Sequence, residues 1–307
     1  MSGAELEHRF VELVLKAWHV ACFTIYHWRQ EEKLNRQQPM PIKLISTDFD
    51  GTLFAEFENP PVPLKLQDLI ARLQAGGAKW VINTGRDLSG LLEAVGRARL
   101  AVQPDYAVAV EREIYRRDGS HFVEDLAWNR ACHLAHAELF RRVRPDVPRL
   151  RQWVESRFAA TIYEDVYSPF CLIAGRYEEA AVIYNFLRDY CREVPHLTLV
   201  CNDVYARFSH DAFNKGTALA EIARQCGWTS ADTFAVGDHL NDLPMLLRQH
   251  ARWLAAPANA IQEVKDLVLK QDGRISQLPH GHGVAEALEF CLESSLNDDG
   301  AGKLRVR

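Results

Sequence analysis

Along this chain, short and largely apolar runs alternate with stretches whose apolar residues recur at helical spacing. The runs Ile42–Thr47, Lys79–Asn83, Tyr106–Val110 and Phe234–Gly237 read as strands buried on both faces. Between them, Leu64–Ala75 and Leu88–Ala98 carry the helical pattern. Gly76-Gly77 stops the first, and Asp87 or Ser89 can cap the second. Strands alternating with helices predict a parallel sheet covered on both faces. The middle of the chain reads differently. Glu113–Tyr115 and His121–Val123 flank Arg117-Asp118-Gly119-Ser120 as a hairpin. Residues 127–141 and 177–190 read as helices, and Leu197–Cys201 and Val204–Phe208 as strands around an Asn202-Asp203 turn. The expected class is α/β: a Rossmann-like parallel sheet core with helices on both faces, plus an inserted α+β unit. No internal repeat or low-complexity tract interrupts it.

The ends add two segments. Residues 10–28, FVELVLKAWHVACFTIYHW, place Phe10, Leu13, Val14, Ala17, Trp18, Ala21 and Ile25 near one helical face. The uncharged run between Lys16 and Arg29 is shorter than the ~20 residues a membrane span needs. The acidic start, Glu5 and Glu7, does not suit a signal peptide. An amphipathic helix with a polar linker is therefore expected over residues 1–41. It packs on its own domain or joins copies into a homo-oligomer. Residues 293–307 read as a flexible tail. Between these ends the expected division is a catalytic core over 42–87 and 209–292, with a cap over 88–208.

Composition narrows the function classes. At roughly 150 residues per domain, 307 residues suit two domains. A hydrophobic share of 48% with 25% charged residues excludes a disordered chain. The balance of 36 Lys plus Arg against 41 Asp plus Glu gives a net charge of -5, which argues against a partner held by nucleic-acid phosphates. Seven widely spaced cysteines without a CxxC suit reduced thiols in a cytoplasmic protein, not a disulfide framework or a zinc ribbon.

Four motifs carry chemistry, each where a strand ends or a helix begins. Asp48-Phe49-Asp50-Gly51-Thr52-Leu53 puts two carboxylates at i and i+2 after the first core strand, able to divide nucleophile or metal-ligand work from proton transfer. Asn83-Thr84-Gly85-Arg86 offers a hydroxyl and backbone N–H groups at a helix start, an anion site. Asn214-Lys215-Gly216-Thr217 sets a lysine at another helix start. Gly237-Asp238-His239-Leu240-Asn241-Asp242 supplies carboxylates at i and i+4, hard oxygen ligands suited to Mg²⁺. Any one of these is an ordinary turn or cap by itself. Their joint order at the carboxyl ends of parallel strands is what points to one site.

Together the motifs resemble those of the haloacid dehalogenase superfamily of phosphohydrolases, over roughly residues 42–290. DHLNDLPML after Gly237, ANAIQEVKD and HGVAEALE resemble its Cof-like branch, subfamily IIB. The resemblance implies Asp48 as nucleophile, forming an aspartyl-phosphate, and Asp50 as general acid. It implies Thr84, Gly85, Lys215 and Asn241 around the phosphoryl group. Mg²⁺ would be bound by Asp48, the Asp50 carbonyl and Asp238, with Asp242 in support. The stretch from Thr84 to Lys215 has room for a domain and that from Asp48 to Thr84 has not, which matches members whose cap lies between the second and third motifs. Two departures stand at the cap rim. Glu111-Arg112-Glu113 replaces an Asn-Gly-Ala type turn, and Arg207 stands where the family often has Glu. Glu111, Arg112 and Arg207 are candidate specificity residues, or are solvated or mutually paired. Trp128, Trp153 and Tyr163 could stack on a sugar, or pack in a core. The implied function is a Mg²⁺-dependent phosphatase of a small phosphorylated metabolite, such as a sugar phosphate. A phosphomutase of the phosphomannomutase type is the alternative, and a non-catalytic scaffold a weaker third.

Overall fold

The computed structural model describes residues 41–302, so the helix read over residues 10–28 lies outside the described residues. The first part of the chain is β1 (Leu44–Thr47), α1 (Leu64–Ala75), β2 (Lys79–Asn83), α2 (Leu88–Ala98), β3 (Tyr106–Ala109), β4 (Glu113–Asp118) and β5 (His121–Glu124). The middle is α3 (Leu126–Val143), α4 (Val147–Glu155), β6 (Ala160–Tyr163), β7 (Cys171–Ala174), α5 (Tyr177–Glu193), β8 (Leu197–Asn202) and β9 (Tyr205–His210). The return is α6 (Lys215–Gln225), β10 (Thr233–Val236), β11 (Trp253–Ala256), α7 (Gln262–Lys270), β12 (Arg274–Ile275) and α8 (His280–Gly302).

An eight-stranded sheet runs in the order β12-β11-β10-β1-β2-β3-β4-β5. It is parallel from β12 to β3 and antiparallel beyond. All four residues of β1 and of β10 are buried, as the apolar runs require of central strands. From β1 the chain steps to β2 on one side, and it later returns to β10 on the other. The sheet's topological switch point therefore lies at the carboxyl end of β1, where α/β sheets open a crevice. Asp48 directly follows that end.

The second sheet is antiparallel, ordered β6-β7-β9-β8. Its register aligns Ile162, Leu172, Ala206 and Cys201 across the four strands. This row packs with Leu139 and Val143 of α3, Leu150 and Val154 of α4, and Ile183 and Leu187 of α5. The opposite parity aligns Tyr163, Cys171, Arg207 and Val200. A helix-backed antiparallel sheet beside the parallel one is the α+β cap that the fold class anticipates.

Two details differ from the sequence reading. The hairpin β4–β5, read with the cap, extends the eight-stranded sheet through β3, with Val108 opposite Ile114. Ile114 is buried in the same cluster as Leu44 and Val81, and that burial fixes the pairing. Second, α8 continues to Gly302, into the stretch read as a tail, with Ser295 buried and its hydroxyl donating to Leu292 O. Of the two readings of the tryptophans, packing holds: Trp153 stacks on Phe186 at 3.6 Å within the cap interior, and Trp128 donates to Arg112 O and meets Phe213 edge-on. Both tryptophans have packing partners.

The cap interior centres on Phe208, fully buried, with Phe170 at 5.0 Å and Tyr190 at 5.9 Å between ring centroids. Phe208→Ala is expected to cost about 3–5 kcal/mol through lost burial and a residual cavity. Denaturant unfolding of the full chain checks this, and a loss below ~1 kcal/mol would contradict a closely packed cap.

Candidate active site

Local geometry brings the four motifs to one place. After β1, Gly51 turns the chain with φ +78, and a Cβ there would lie 2.6 Å from Asp238 Oδ2. Asn259 Nδ2 and His280 Nδ1 both donate to Gly51 O at 2.8 Å and brace the turn. Asn214 caps α6: its side chain accepts from Gly216 N and Thr217 N, while Thr217 Oγ1 accepts from Asn214 N. This capping box fixes the first helical turn, and Lys215 in that turn is fully buried. Asn83 Nδ2 donates to Lys215 O at 3.0 Å and ties the second motif to the third.

Lys215 Nζ lies 2.6 Å from both Asp48 Oδ1 and Asp242 Oδ1. Asp242 Oδ2 accepts from Asp238 N at 2.8 Å and His239 N at 2.9 Å, so its backbone turn and its lysine contact are set together. Asp238 Oδ1 accepts from Thr52 Oγ1 at 2.5 Å. Asp48, Asp238 and Asp242 each offer an oxygen within 4.8 Å of the others. Three carboxylates thus face one ammonium. Burial, then the charge of Asp242, pushes the Asp48 carboxyl well above its ordinary range. The same two causes raise Asp238 to about 7, against the pull of Thr52 and Lys215. For Lys215 burial acts downward, but Asp242 and Asp48 outweigh it and raise its pKa.

The remaining predicted residues fall into two groups. Asp50 is 43% exposed and turned to Arg86, whose Nε and Nη2 meet its two oxygens at 2.6 and 2.7 Å. Thr84 is buried, and its Oγ1 accepts from Arg86 N. The Thr84 N–H, expected to be free for an anion, donates instead to Val108 O, because it continues the β2–β3 ladder. Glu111 and Arg207 are a buried pair, with Oε2 and Nη2 2.7 Å apart. Asn241 Nδ2 donates to Glu111 Oε1 at 3.1 Å, which joins this pair to the fourth motif. Burial alone would raise the Glu111 pKa, but Arg207 and Lys215 outweigh it and hold it below its ordinary value. Arg112 takes no partner in the cluster; its bonds go to Ser209 Oγ and Tyr167 O.

Residues 159–288 match the model of the haloacid dehalogenase-like hydrolases. Two Bacillus subtilis (strain 168) proteins are similar along most of their length. YxeH is 23% identical over 271 residues, covering 80% of this chain and 97% of its own. Phosphatase YwpJ is 25% identical over 295 residues, covering 82% of this chain and all of its own. Among solved structures, the sucrose-phosphatase from Synechocystis sp. PCC6803, in complex with sucrose and phosphate, superposes with a TM-score of 0.64 at 17% identity, over 82% of this chain and 98% of that one.

Over residues 159–288 the chain is similar to the haloacid dehalogenase-like hydrolases.

The site carries features that the sequence motifs did not reveal. Arg86 lies inside the Asn83-Thr84-Gly85-Arg86 motif, yet only the fold shows that its guanidinium grips Asp50. Thr52, read as part of a turn, is the hydroxyl that fixes Asp238. The turn before β4 holds Val110 at φ 44 and Glu111 at φ 67, a left-handed pair of non-glycine residues and costly for a β-branched side chain. It persists because Val110 N donates to Arg86 O, Glu111 N to Thr84 O, and Arg207 Nη2 to Val110 O.

Breaking the Glu111–Arg207 pair from one side leaves a buried charge without compensation. Arg207→Met is expected to cost about 3–5 kcal/mol, and the double change Glu111→Gln with Arg207→Met to recover part of it. Unfolding free energies of the two variants check the sign. Equal losses would mean that the carboxylate is stabilised without Arg207.

Proposed function

We propose that this phosphatase hydrolyses a small phosphorylated metabolite, of the sugar-phosphate class, through an aspartyl-phosphate on Asp48. The observation that carries this reading is the placement of Asp48 Oδ1 against Lys215 Nζ at the switch point of the sheet. A phosphate ester is anionic and will approach Asp48 only where positive charge offsets the carboxylates. Lys215 supplies one such charge. Asp48 and Asp238, whose carboxyls burial and the charge of Asp242 hold above their ordinary range, form a hard-oxygen set that suits a divalent cation. Asp48, the Asp50 carbonyl and Asp238 would hold Mg²⁺, whose chemistry there is to neutralise the phosphoryl oxygens.

In this reading Asp48 attacks phosphorus, and the bond to the leaving oxygen breaks. Asp50 gives its proton to the departing alcohol and then takes one from the water that attacks the aspartyl-phosphate. The Arg86 fork on Asp50 must open for that exchange, since it engages both carboxylate oxygens. Thr84 and the exposed Gly85 border the phosphoryl position. Asn241, held by Glu111, orients Lys215 or the phosphate, and Asp242 organises Lys215 rather than binding metal directly. For the leaving group, the cap face that carries Tyr163, Tyr205 and Arg207 offers hydroxyls and aromatic surface suited to a hydroxylated partner.

Phosphate release from a panel of phosphorylated metabolites tests the proposal. Release should require Mg²⁺, stop with chelator, and fall by about 10³-fold or more in Asp48→Asn. Release unaffected by either change would refute it, and transfer to a bisphosphorylated sugar without free phosphate would indicate a mutase. Asp50→Asn should slow alkyl phosphates far more than p-nitrophenyl phosphate, whose leaving group needs no proton. Equal slowing of both would remove the acid role from Asp50.

A further inference from the structure

Arg112, in the turn before β4, and Arg207, in β9, are buried to the same degree, and among the described residues only one has a counter-charge within ion-pair distance. Arg207 and Arg112 are each 3% exposed. Arg207 meets Glu111. Arg112 has no carboxylate within ion-pair distance among the described residues. Its two hydrogen bonds go to neutral oxygens, Ser209 Oγ at 3.2 Å and Tyr167 O at 2.8 Å, and its Nε–H has no partner there. Ser209 cannot compensate the charge, since its hydroxyl donates to His136 Nε2, and His136 Nδ1 donates to Cys132 O. His136 is held neutral by burial and then by Arg112 itself, with a pKa pushed down to about 3. A guanidinium carries five N–H donors in a planar fork, and a buried charge without compensation is costly. Burial, then the neighbouring Arg207, pulls even the Arg112 pKa down to about 10.

Arg112 lines a cavity of about 680 Å³ with Arg141, Arg144, His133, His136 and Tyr167. The one acid in its wall, Glu113, already accepts from Tyr115 Oη at 2.8 Å and faces His133 Nε2 at 2.9 Å. Arg141 and Arg144 pair with Glu138 and Glu164 at the exposed rim, where such pairs are weak. The cavity shares no lining residue with the Asp48–Asp238–Asp242 cluster.

We propose that this cavity is a second anion site, in which Arg112 binds a small oxyanion, a phosphate or carboxylate group, at the joint between the two sheets. A planar fork suits two oxygens of such a group. Through Ser209 of β9 and Tyr167 on one side and β4 on the other, the anion ties the cap to the core sheet. The inference does not depend on the phosphatase mechanism, because its test reads stability.

The test is thermal unfolding of the full chain in amine buffer, titrated with inorganic phosphate in one arm and citrate in the other, for wild type and Arg112→Met. Wild-type Tm should rise by about 2–4 °C as the anion saturates the site. Arg112→Met should lose most of that rise. A response to phosphate alone assigns a phosphoryl ligand, and a response to citrate as well assigns carboxylates. Should the methionine variant fail to fold, Arg112→Lys keeps the charge without the fork, and at least about tenfold weaker anion dependence is expected. No rise in wild type, or an equal rise in wild type and variant, overturns the proposal, the second outcome placing the anion elsewhere.

Discussion

Lys215 is the residue on which this site depends. An ammonium with no solvent exposure lies 2.6 Å from two carboxylates, and a third, Asp238, has an oxygen within 4.8 Å of both of them. Such an arrangement contributes little stability in itself, because desolvating the charges offsets their attraction. It is held in place by surrounding structure: the Asn214 capping box, the Asn83 bond to the Lys215 carbonyl, and the two backbone donors that orient Asp242. Removing the lysine would leave carboxylates facing one another at the end of β1. The elements around it, anchored by core residues such as Leu44, Leu219 and Ile222, hold that charge arrangement in place.

The joint between the sheets follows a similar logic. Val110 and Glu111 adopt a backbone that only glycine takes freely, and three backbone acceptors and donors hold them there. The strained turn delivers the Glu111 carboxylate between Asn241 of the core and Arg207 of the cap. One hydrogen-bonded chain thus runs from the cap sheet to the loop that carries Asp238 and Asp242. A displacement of β9 would be felt at Asn241 through a buried ion pair, which tolerates little misalignment.

Burial and charge also explain which sequence features proved to be packing. Trp153 and Trp128 are large enough to stack on a ligand, but each already has a ring or a carbonyl to satisfy it. The hairpin read with the cap joins the core sheet because Ile114 fills the same interior as β1 and β2. Pairing follows the apolar side chain rather than the boundary that the motifs suggest.

By itself, the sequence determined the parallel core, its helices and the four motif positions. Those depend on local periodicity, turn chemistry and capping, which are written in neighbouring residues: the buried run of β1, the Gly51 turn, the Asn214 cap. The same locality made the order Asp48, Thr84, Lys215, Asp238 legible as one site. What only the tertiary structure decided are the contacts between residues far apart in the chain. Arg86 grips Asp50, Thr52 fixes Asp238, Glu111 pairs with Arg207, and Arg112 is buried with no acid within ion-pair distance among the described residues. A charged side chain in a sequence shows its valence but not its partner. The partner is set by burial and by the approach of distant strands, which no local pattern encodes.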